Sequence, residues 1–211
     1  MSGRERMFEF IHEASSAALV LDLPDADVTF VRRFLSSRDA DRLVDEVTDT
    51  TPWRQEVIRL YGRESPVPRL TAWHGDPNAV YAYSNIAMDP EPWSAPLGEI
   101  RDLVEIETGV RFNSVLCNLY RNGRDGVAWH SDDEAELGGR PVIASISLGD
   151  TRTFQLRHRT RPDLRHQIDL PHGSLLIMRG PTQHHWKHQV PKTARPVGAR
   201  INLTYRTVST A

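Results

Sequence analysis

The sequence predicts an α+β protein whose core is β: a double-sheet jelly roll (double-stranded β-helix) with helices flanking it on the N-terminal side. Three observations predict it. From Phe112 onward, short apolar runs recur between Gly, Pro and Asp: FNSVLCNLY, VIASISLG, TFQLRH, HQIDL, SLLIMRG, KHQV and ARINLTYR. Many short strands at that spacing argue for a sandwich or barrel. Two segments of helical periodicity come before them. No repeat, low-complexity tract or long Gly/Ser linker divides the 211 residues, which suffice for one generous domain with a buried core.

In chain order, residues 1–25 read as a loosely organised N-terminal lead-in ending at Leu23-Pro24-Asp25, and residues 26–211 as a single domain. A strand-like VTFVRRFL follows the lead-in. Ser36 or Ser37 then caps a helix through RDADRLVDEV, in which Leu43, Val44 and Val47 fall at helical spacing. A second helix starts near Ser94 and runs through APLGEIRDLVEIE. Leu97, Ile100, Leu103 and Val104 form its inner stripe, and Gly109 ends it. The β core occupies about residues 112–208.

Composition narrows the class. Hydrophobic content of 39% and charge content of 26% are ordinary for a water-soluble chain, and no apolar run approaches the ~18 residues that span a bilayer. The N-terminal MSGRERMFEFIHEASS lacks the uninterrupted apolar core of a secretory signal. Cys117, the only cysteine, excludes an internal disulfide and a multi-cysteine zinc site. An intracellular, cytoplasmic monomer is expected (nucleoid-associated, or nuclear in a eukaryote), with no membrane association. The net charge of −2 hides an asymmetry: residues 1–150 hold 15 Lys/Arg against 26 Asp/Glu, and residues 151–211 hold 11 against 2. A basic segment on an otherwise acidic chain suits a phosphate-binding surface, although charge runs are often merely solvated.

Three groups of residues carry chemistry. The first is the H-x-D pair His130 and Asp132, which an extended strand aims at one face. Two histidines and one carboxylate suit a non-haem Fe(II) site with open positions. The third ligand is ambiguous, because QHHWKHQVP offers His184, His185 and His188. Pro181 and Pro191 bracket that segment and its composition favours a strand, which puts His184, Trp186 and His188 on one face. The second group is Arg200, Asn202, Thr204 and Arg206, at even offsets in ARINLTYR. Two guanidiniums on one strand face make a bidentate receptor for a carboxylate. The third is Asn118 and Tyr120, two apart upstream of His130, which can donate to a metal-proximal carboxylate or keto group. Together they describe a dicarboxylate co-substrate chelated to iron at one end and gripped by arginine at the other.

The motifs NLYRNG…WHSDDE, SISLG…RTFQLRH, HGSLLIMRGPTQHHWKHQVPK and RINLTYRTV, with PRLTAWHGD…YAYSN upstream, closely resemble the AlkB family of Fe(II)/2-oxoglutarate dioxygenases over roughly residues 66–208. The texture is nearest to the branch that includes the third human AlkB homologue. The resemblance implies that the last metal ligand is His188, the histidine of W-x-H-x-x-P. It also implies that Asn118, Tyr120, Arg200, Asn202, Thr204 and Arg206 hold 2-oxoglutarate, and that residues 66–90 form a substrate-recognition segment. The His184-His185 pair departs from close relatives and leaves an extra metal contact or an altered rim open.

The implied cofactors are Fe(II), 2-oxoglutarate and O₂. The implied reaction is oxidative demethylation of N-alkylated bases such as 1-methyladenine and 3-methylcytosine in DNA or RNA, single-stranded by preference, with succinate and formaldehyde as products. Such bases are cationic, so Asp133 and Glu134 offer negative charge beside the iron, although they could also brace nearby arginines. Tyr81 and Tyr83 offer stacking to a flipped base. Arg69 matches a substrate-contact position and Trp73 a rim position, although these aromatics also suit a core. Arginines between Arg152 and Arg165 are candidate phosphate contacts. The competing readings are a same-fold dioxygenase acting on a protein or small molecule, a non-catalytic metal-bearing nucleic-acid reader, and a zinc hydrolase. The last leaves the arginine strand without a purpose.

Overall fold

The computed structural model describes residues 17–60, 63–79, 81–83 and 86–209. In chain order these form strands β1 (Leu19–Val20) and β2 (Asp27–Val31), helix α1 (Ser37–Thr50), and strands β3 (Val57–Leu60), β4 (Arg63–Pro66), β5 (Leu70–Gly75), β6 (Tyr81–Tyr83) and β7 (Ile86–Met88). Helix α2 (Ala95–Thr108) leads into β8 (Ser114–Tyr120), β9 (Val127–His130), β10 (Ile143–Gly149), β11 (Arg152–His158), β12 (Arg165–Leu170) and β13 (Ser174–Arg179). A helical turn α3 (Thr182–His185), β14 (Trp186–Val190) and β15 (Arg200–Arg206) complete the set.

The strands build a seven-stranded sheet in the order β1-β2-β13-β10-β15-β8-β5 and a four-stranded sheet in the order β12-β11-β14-β9. The pairs β3-β4 and β6-β7 form separate hairpins. The two larger sheets face one another, which is the expected jelly roll. The lead-in contributes more than expected: Leu19 and Val20 pair with Phe30 and Thr29 of β2, and Leu21 is buried. The large sheet also draws β2 and β5 from before residue 112.

Each helix is set by its own sequence. The Ser36 hydroxyl accepts from the Asp39 backbone N–H at 3.1 Å and so caps α1. Gly109 ends α2 at φ 69°, a left-handed conformation that costs glycine nothing. Leu43 and Val47 of α1, and Leu97, Ile100, Leu103 and Val104 of α2, pack on the outer side of the large sheet against Val115, Cys117, Ile146 and Leu203. A second cluster, with Leu116, Tyr120, Phe154, Leu156, Leu176 and Met178, fills the space between the sheets. Full burial of a leucine or isoleucine is worth about 1.5–3 kcal/mol. These two layers clamp the large sheet from both sides and hold its inner face still.

Among the described residues no helix is long and apolar enough to cross a membrane.

Candidate active site

Side chains alternate along a strand, so β15 sends Arg200, Asn202, Thr204 and Arg206 to one face, the one that meets the small sheet. Register gives them their neighbours. Arg200 lies opposite Tyr120 and Asn202 opposite Asn118 on β8, while Asn202 faces Ser147 and Thr204 faces Ser145 on β10. On the small sheet, His188 of β14 pairs with His130 of β9. The result is a cavity of about 550 Å³, open mouth included, lined by all of these residues except Ser147, together with Asp132, Arg69 and the apolar Leu116, Phe154 and Met178.

His130, Asp132 and His188 each offer a ligand atom within 4.8 Å of the others. His130 Nδ1 lies 2.9 Å from the Ala128 carbonyl oxygen. That contact requires Nδ1 to carry the proton, leaving the Nε2 lone pair for a metal. Burial pushes the His188 imidazole down to about 3, His130 adds to the effect and Asp132 opposes it. Burial would raise the Asp132 carboxyl, but Arg206 and then the two histidines outweigh it and hold the carboxyl below its ordinary value. An imidazole that burial keeps neutral at His188, a second at His130 whose Nε2 lone pair is left free by the Nδ1 contact, and a carboxylate held ionised at Asp132 are what a divalent cation needs as ligands, so the residues present fit Fe(II).

Asp132 itself sits just past the end of β9 rather than within a strand. Its position is fixed by the Gln183 side-chain carbonyl, which accepts from the Asp132 backbone N–H at 3.0 Å, and by Arg206 Nη2, 2.9 Å from Asp132 Oδ1. Gln183 is 1% exposed. Nothing in its sequence context singles it out, because its role depends on a loop 51 residues away.

The arginine pair does not form the expected receptor. Six residues of strand separate Arg200 from Arg206, about 20 Å, so both cannot grip one carboxylate. Arg206 braces the candidate metal ligand, and Arg200 lies at the far end of the cavity. Arg200 is 1% exposed; its Nη2 donates to Ser147 Oγ at 2.8 Å, and its Nε and Nη1 have no hydrogen-bond partner among the described residues. Burial pulls its guanidinium down to about 10, partly opposed by Tyr120. A buried cation with two unused donors fits the distal carboxylate of 2-oxoglutarate. Between the two ends, Asn202 donates to Ser145 Oγ at 2.7 Å, and Thr204 donates to Asn202 at 3.2 Å. The serines were not anticipated. Their signal is two hydroxyls at i and i+2 in the otherwise apolar IASISL.

The remaining predicted residues divide. Arg69 lines the cavity and donates through Nε to Asn118 Oδ1 at 2.6 Å. Trp73 is not a rim residue: it is 1% exposed, packs in the inter-sheet core and donates to the Ala79 carbonyl at 3.0 Å. β5 pairs directly with β8, and that pairing encloses its aromatic. Asp133 is ion-paired with Arg159, whose guanidinium also reaches Ser131 Oγ, so its charge is already compensated. Glu134 differs, keeping a buried Oε2 without a hydrogen-bond partner. Tyr81 and Tyr83 lie on β6, but their side chains lie outside the described residues.

The expected strand through HHWKHQV begins only at Trp186. Thr182–His185 is a helical turn, so His184 does not share a strand face with His188. His184 Nε2 contacts the Gly139 carbonyl, and His185 stacks on His158 with ring centroids 5.8 Å apart. Asp25, His158 and His185 do form a second close group, but not a metal cup. The Arg161 guanidinium sits on Asp25, and His158 Nδ1 accepts from the backbone N–H groups of Thr160 and Arg161, which leaves the proton on Nε2 facing Asp25. The structure therefore keeps both His184 and His185 out of the metal triad.

Comparison with known proteins agrees with this geometry. Residues 27–206 match the 2OG-Fe(II) oxygenase superfamily. The chain is 44% identical over 184 residues to the human protein named alpha-ketoglutarate-dependent dioxygenase alkB homolog 3, covering 83% of this chain and 64% of that one. It therefore spans just under two thirds of that relative's length. It is 36% identical over 210 residues to DNA oxidative demethylase ALKBH2 of Arabidopsis thaliana, covering 87% and 67% respectively. A solved structure described as that of OsALKBH1 superposes with a TM-score of 0.64 at 17% identity, over 90% of this chain and all of the other, which supports the fold alone. On this fold, this cavity and these matches, the chain belongs to the 2OG-Fe(II) oxygenase superfamily and, within it, to the AlkB family of 2-oxoglutarate-dependent dioxygenases.

Proposed function

We propose that this protein removes N-methyl groups from cationic bases such as 1-methyladenine and 3-methylcytosine in single-stranded DNA or RNA. It would do so as an intracellular monomer, with residues 66–90 as its substrate-recognition segment. His130, Asp132 and His188 would hold Fe(II), and Arg200 and Arg206, from the two ends of the cavity, with Asn118, Tyr120, Asn202 and Thr204 would hold 2-oxoglutarate. Bound there, Fe(II) with 2-oxoglutarate and O₂ would supply the oxidation of an N-methyl group to N-hydroxymethyl, with succinate and CO₂ as co-products, and loss of that group as formaldehyde would restore the base.

The chain's own residues position and exclude. Arg200 fixes the co-substrate at the closed end, so its reactive end faces the ligand triad. Arg206 keeps Asp132 ionised and oriented. Leu116, Phe154 and Met178 keep water from the space between them. The single observation that carries the choice of substrate is Glu134: a carboxylate two residues from a metal ligand, with a buried oxygen that has no hydrogen-bond partner among the described residues. A cationic base satisfies it better than a neutral one. The name of the ALKBH2 relatives, DNA oxidative demethylase, supports the same reading.

The test is formaldehyde and succinate release from single- and double-stranded oligonucleotides carrying 1-methyladenine or 3-methylcytosine. Equal molar formaldehyde and succinate, faster on single strands, is expected. Succinate formed only with a peptide or small molecule would overturn the reading.

A further inference from the structure

The five arginines from Arg152 to Arg165 have separate fates. Arg152 is buried and donates to the carbonyls of Asn122, Asp125 and Pro191. Arg159 is paired with Asp133 and Arg161 with Asp25. Arg157 and Arg165 are in no ion pair among the described residues. Arg157 is directly opposite Arg165 on one side and Lys187 on the other. Three cations thus form one row across three strands, ~4.8 Å apart at the backbone. They lie on the face of the small sheet turned away from His188, since Lys187 and His188 are consecutive on β14.

Like charges directly opposite one another in a sheet are unfavourable, and among the described residues no carboxylate is ion-paired with this row. The next row is Gln167, Gln155 and Gln189 in register, with Gln189 Nε2 donating to Gln155 Oε1 at 2.7 Å. Trp129, on edge strand β9, lies under the Arg157 guanidinium at 4.3 Å from the ring centroid. Trp129, Gln155, Arg165 and Gln167 line an open depression of about 640 Å³, open mouth included. The one acid in the sequence of β12, Asp169, sits a further row away and accepts from Thr153 at 2.7 Å.

We propose that this outer face of the four-stranded sheet is a second nucleic-acid contact, gripping the strand that flanks the base held in the cavity. Arg157, Arg165 and Lys187 take phosphates; Trp129 and the glutamine row take a base. A positive track beside an aromatic and amide surface is the chemistry of single-strand binding, whereas an acidic peptide would use the cations alone. The inference rests on the demethylase reading and deepens it by giving the polymer a path beyond the catalytic mouth.

The test compares the full chain with the triple variant Arg157→Gln, Arg165→Gln, Lys187→Gln, using fluorescence anisotropy of an unmodified thymidine 20-mer over a salt series. The variant should bind about ten-fold or more weakly at low salt, and the slope of log affinity against log salt should fall by about 2, three phosphates at ~0.7 each. Its kcat/KM on a methylated trinucleotide, too short to leave the cavity and reach this face, should be unchanged, while that on a methylated 20-mer falls. Arg32→Gln with Arg38→Gln, on the acidic half, should leave 20-mer binding as it is. Unchanged 20-mer affinity and salt slope in the triple variant would overturn the proposal, and so would an equal loss for polyglutamate of matched charge. If the wild type demethylates neither substrate, the demethylase reading fails, and the anisotropy still decides whether this face binds nucleic acid.

Discussion

Arg200→Met separates a residue kept for stability from one kept for a ligand. In the protein without co-substrate, Arg200 holds a positive charge at 1% exposure with a hydrogen bond to Ser147 and the Tyr120 side chain beside it, its ring 5.3 Å away. Burial pulls the pKa of its guanidinium down to about 10, which corresponds to a net cost of about 3 kcal/mol for keeping the charge there. Against that stands the charged hydrogen bond to Ser147, about 1.5–3 kcal/mol; the favourable Tyr120 contact is already counted in the net cost. The two sides nearly cancel, so replacement by methionine should leave stability within about 1 kcal/mol of wild type, a melting shift within ~4 °C. A buried arginine already paired inside the protein would instead lose about 3–5 kcal/mol.

The ligand reverses the comparison. At 2-oxoglutarate a hundredfold above its dissociation constant, binding stabilises the wild type by about 2.7 kcal/mol, which raises the melting temperature by roughly 5–10 °C. Arg200→Met should show no such rise at that concentration. The assay is thermal unfolding of both proteins with Mn(II), which does not turn over, with and without 2-oxoglutarate. A methionine variant that keeps the full ligand-induced rise would refute the assignment of Arg200. One that melts 10 °C low before any ligand is added would refute the claim that its donors are unused.

Three further outcomes follow from the same geometry. His130→Ala or Asp132→Ala should abolish formaldehyde release and weaken Mn(II) binding by at least about 100-fold, measured by electron paramagnetic resonance; retained turnover would remove these residues from the metal site. Glu134→Gln should raise KM for a 1-methyladenine oligonucleotide about ten-fold, near 1.4 kcal/mol, while Asp133→Asn should do much less, because Asp133 is already paired with Arg159; the reverse ranking would return the substrate charge to Asp133. Metal-free protein should lose stability on acidification. His188 is held near 3 when folded against 6.5 when unfolded, so between those values the unfolded chain binds more protons, and stability falls with pH at up to about 1.4 kcal/mol per unit. Below 3.8 the depressed Asp132 carboxyl adds to the loss. A urea midpoint unchanged between pH 7 and pH 4.5 would contradict this.

Features that depend on strand alternation alone were legible in the sequence. Arg200, Asn202 and Thr204 share a face because a strand repeats every two residues, and no tertiary detail can move one of them to the other side without moving all. The same holds for Asn118 with Tyr120, and the inner stripe of α2 follows from helical period in the same way. What a side chain meets across the fold was not legible. Asp133 and Glu134 are adjacent and chemically alike, yet Arg159, 26 residues away, compensates only the first. Trp73 and Tyr120 are both aromatics on neighbouring strands of one sheet, yet Tyr120 lines the cavity and Trp73 is sealed in the core.

The turn at Thr182–His185 shows how long-range bonds override local preference. HHWKHQV reads as strand from end to end. Thr182 Oγ1 nevertheless accepts from the Asp27 backbone at 2.9 Å and donates to the Arg179 carbonyl at 2.6 Å, while Gln183 is committed to the Asp132 backbone. Thr182 and Gln183 are each 1% exposed, and breaking one of these bonds to extend the strand would leave a polar group unsatisfied at about 1–3 kcal/mol. The difference in β-propensity over four residues is smaller and dependent on context. The turn therefore wins, and its consequence is chemical. It draws His184 and His185 away from the cavity, leaves His188 as the one histidine of that segment facing His130, and ties the loop carrying Asp132 to the strand carrying His188. Gln183→Ala should accordingly weaken Mn(II) binding while the fold survives, because it releases the backbone of a metal ligand without touching any ligand atom.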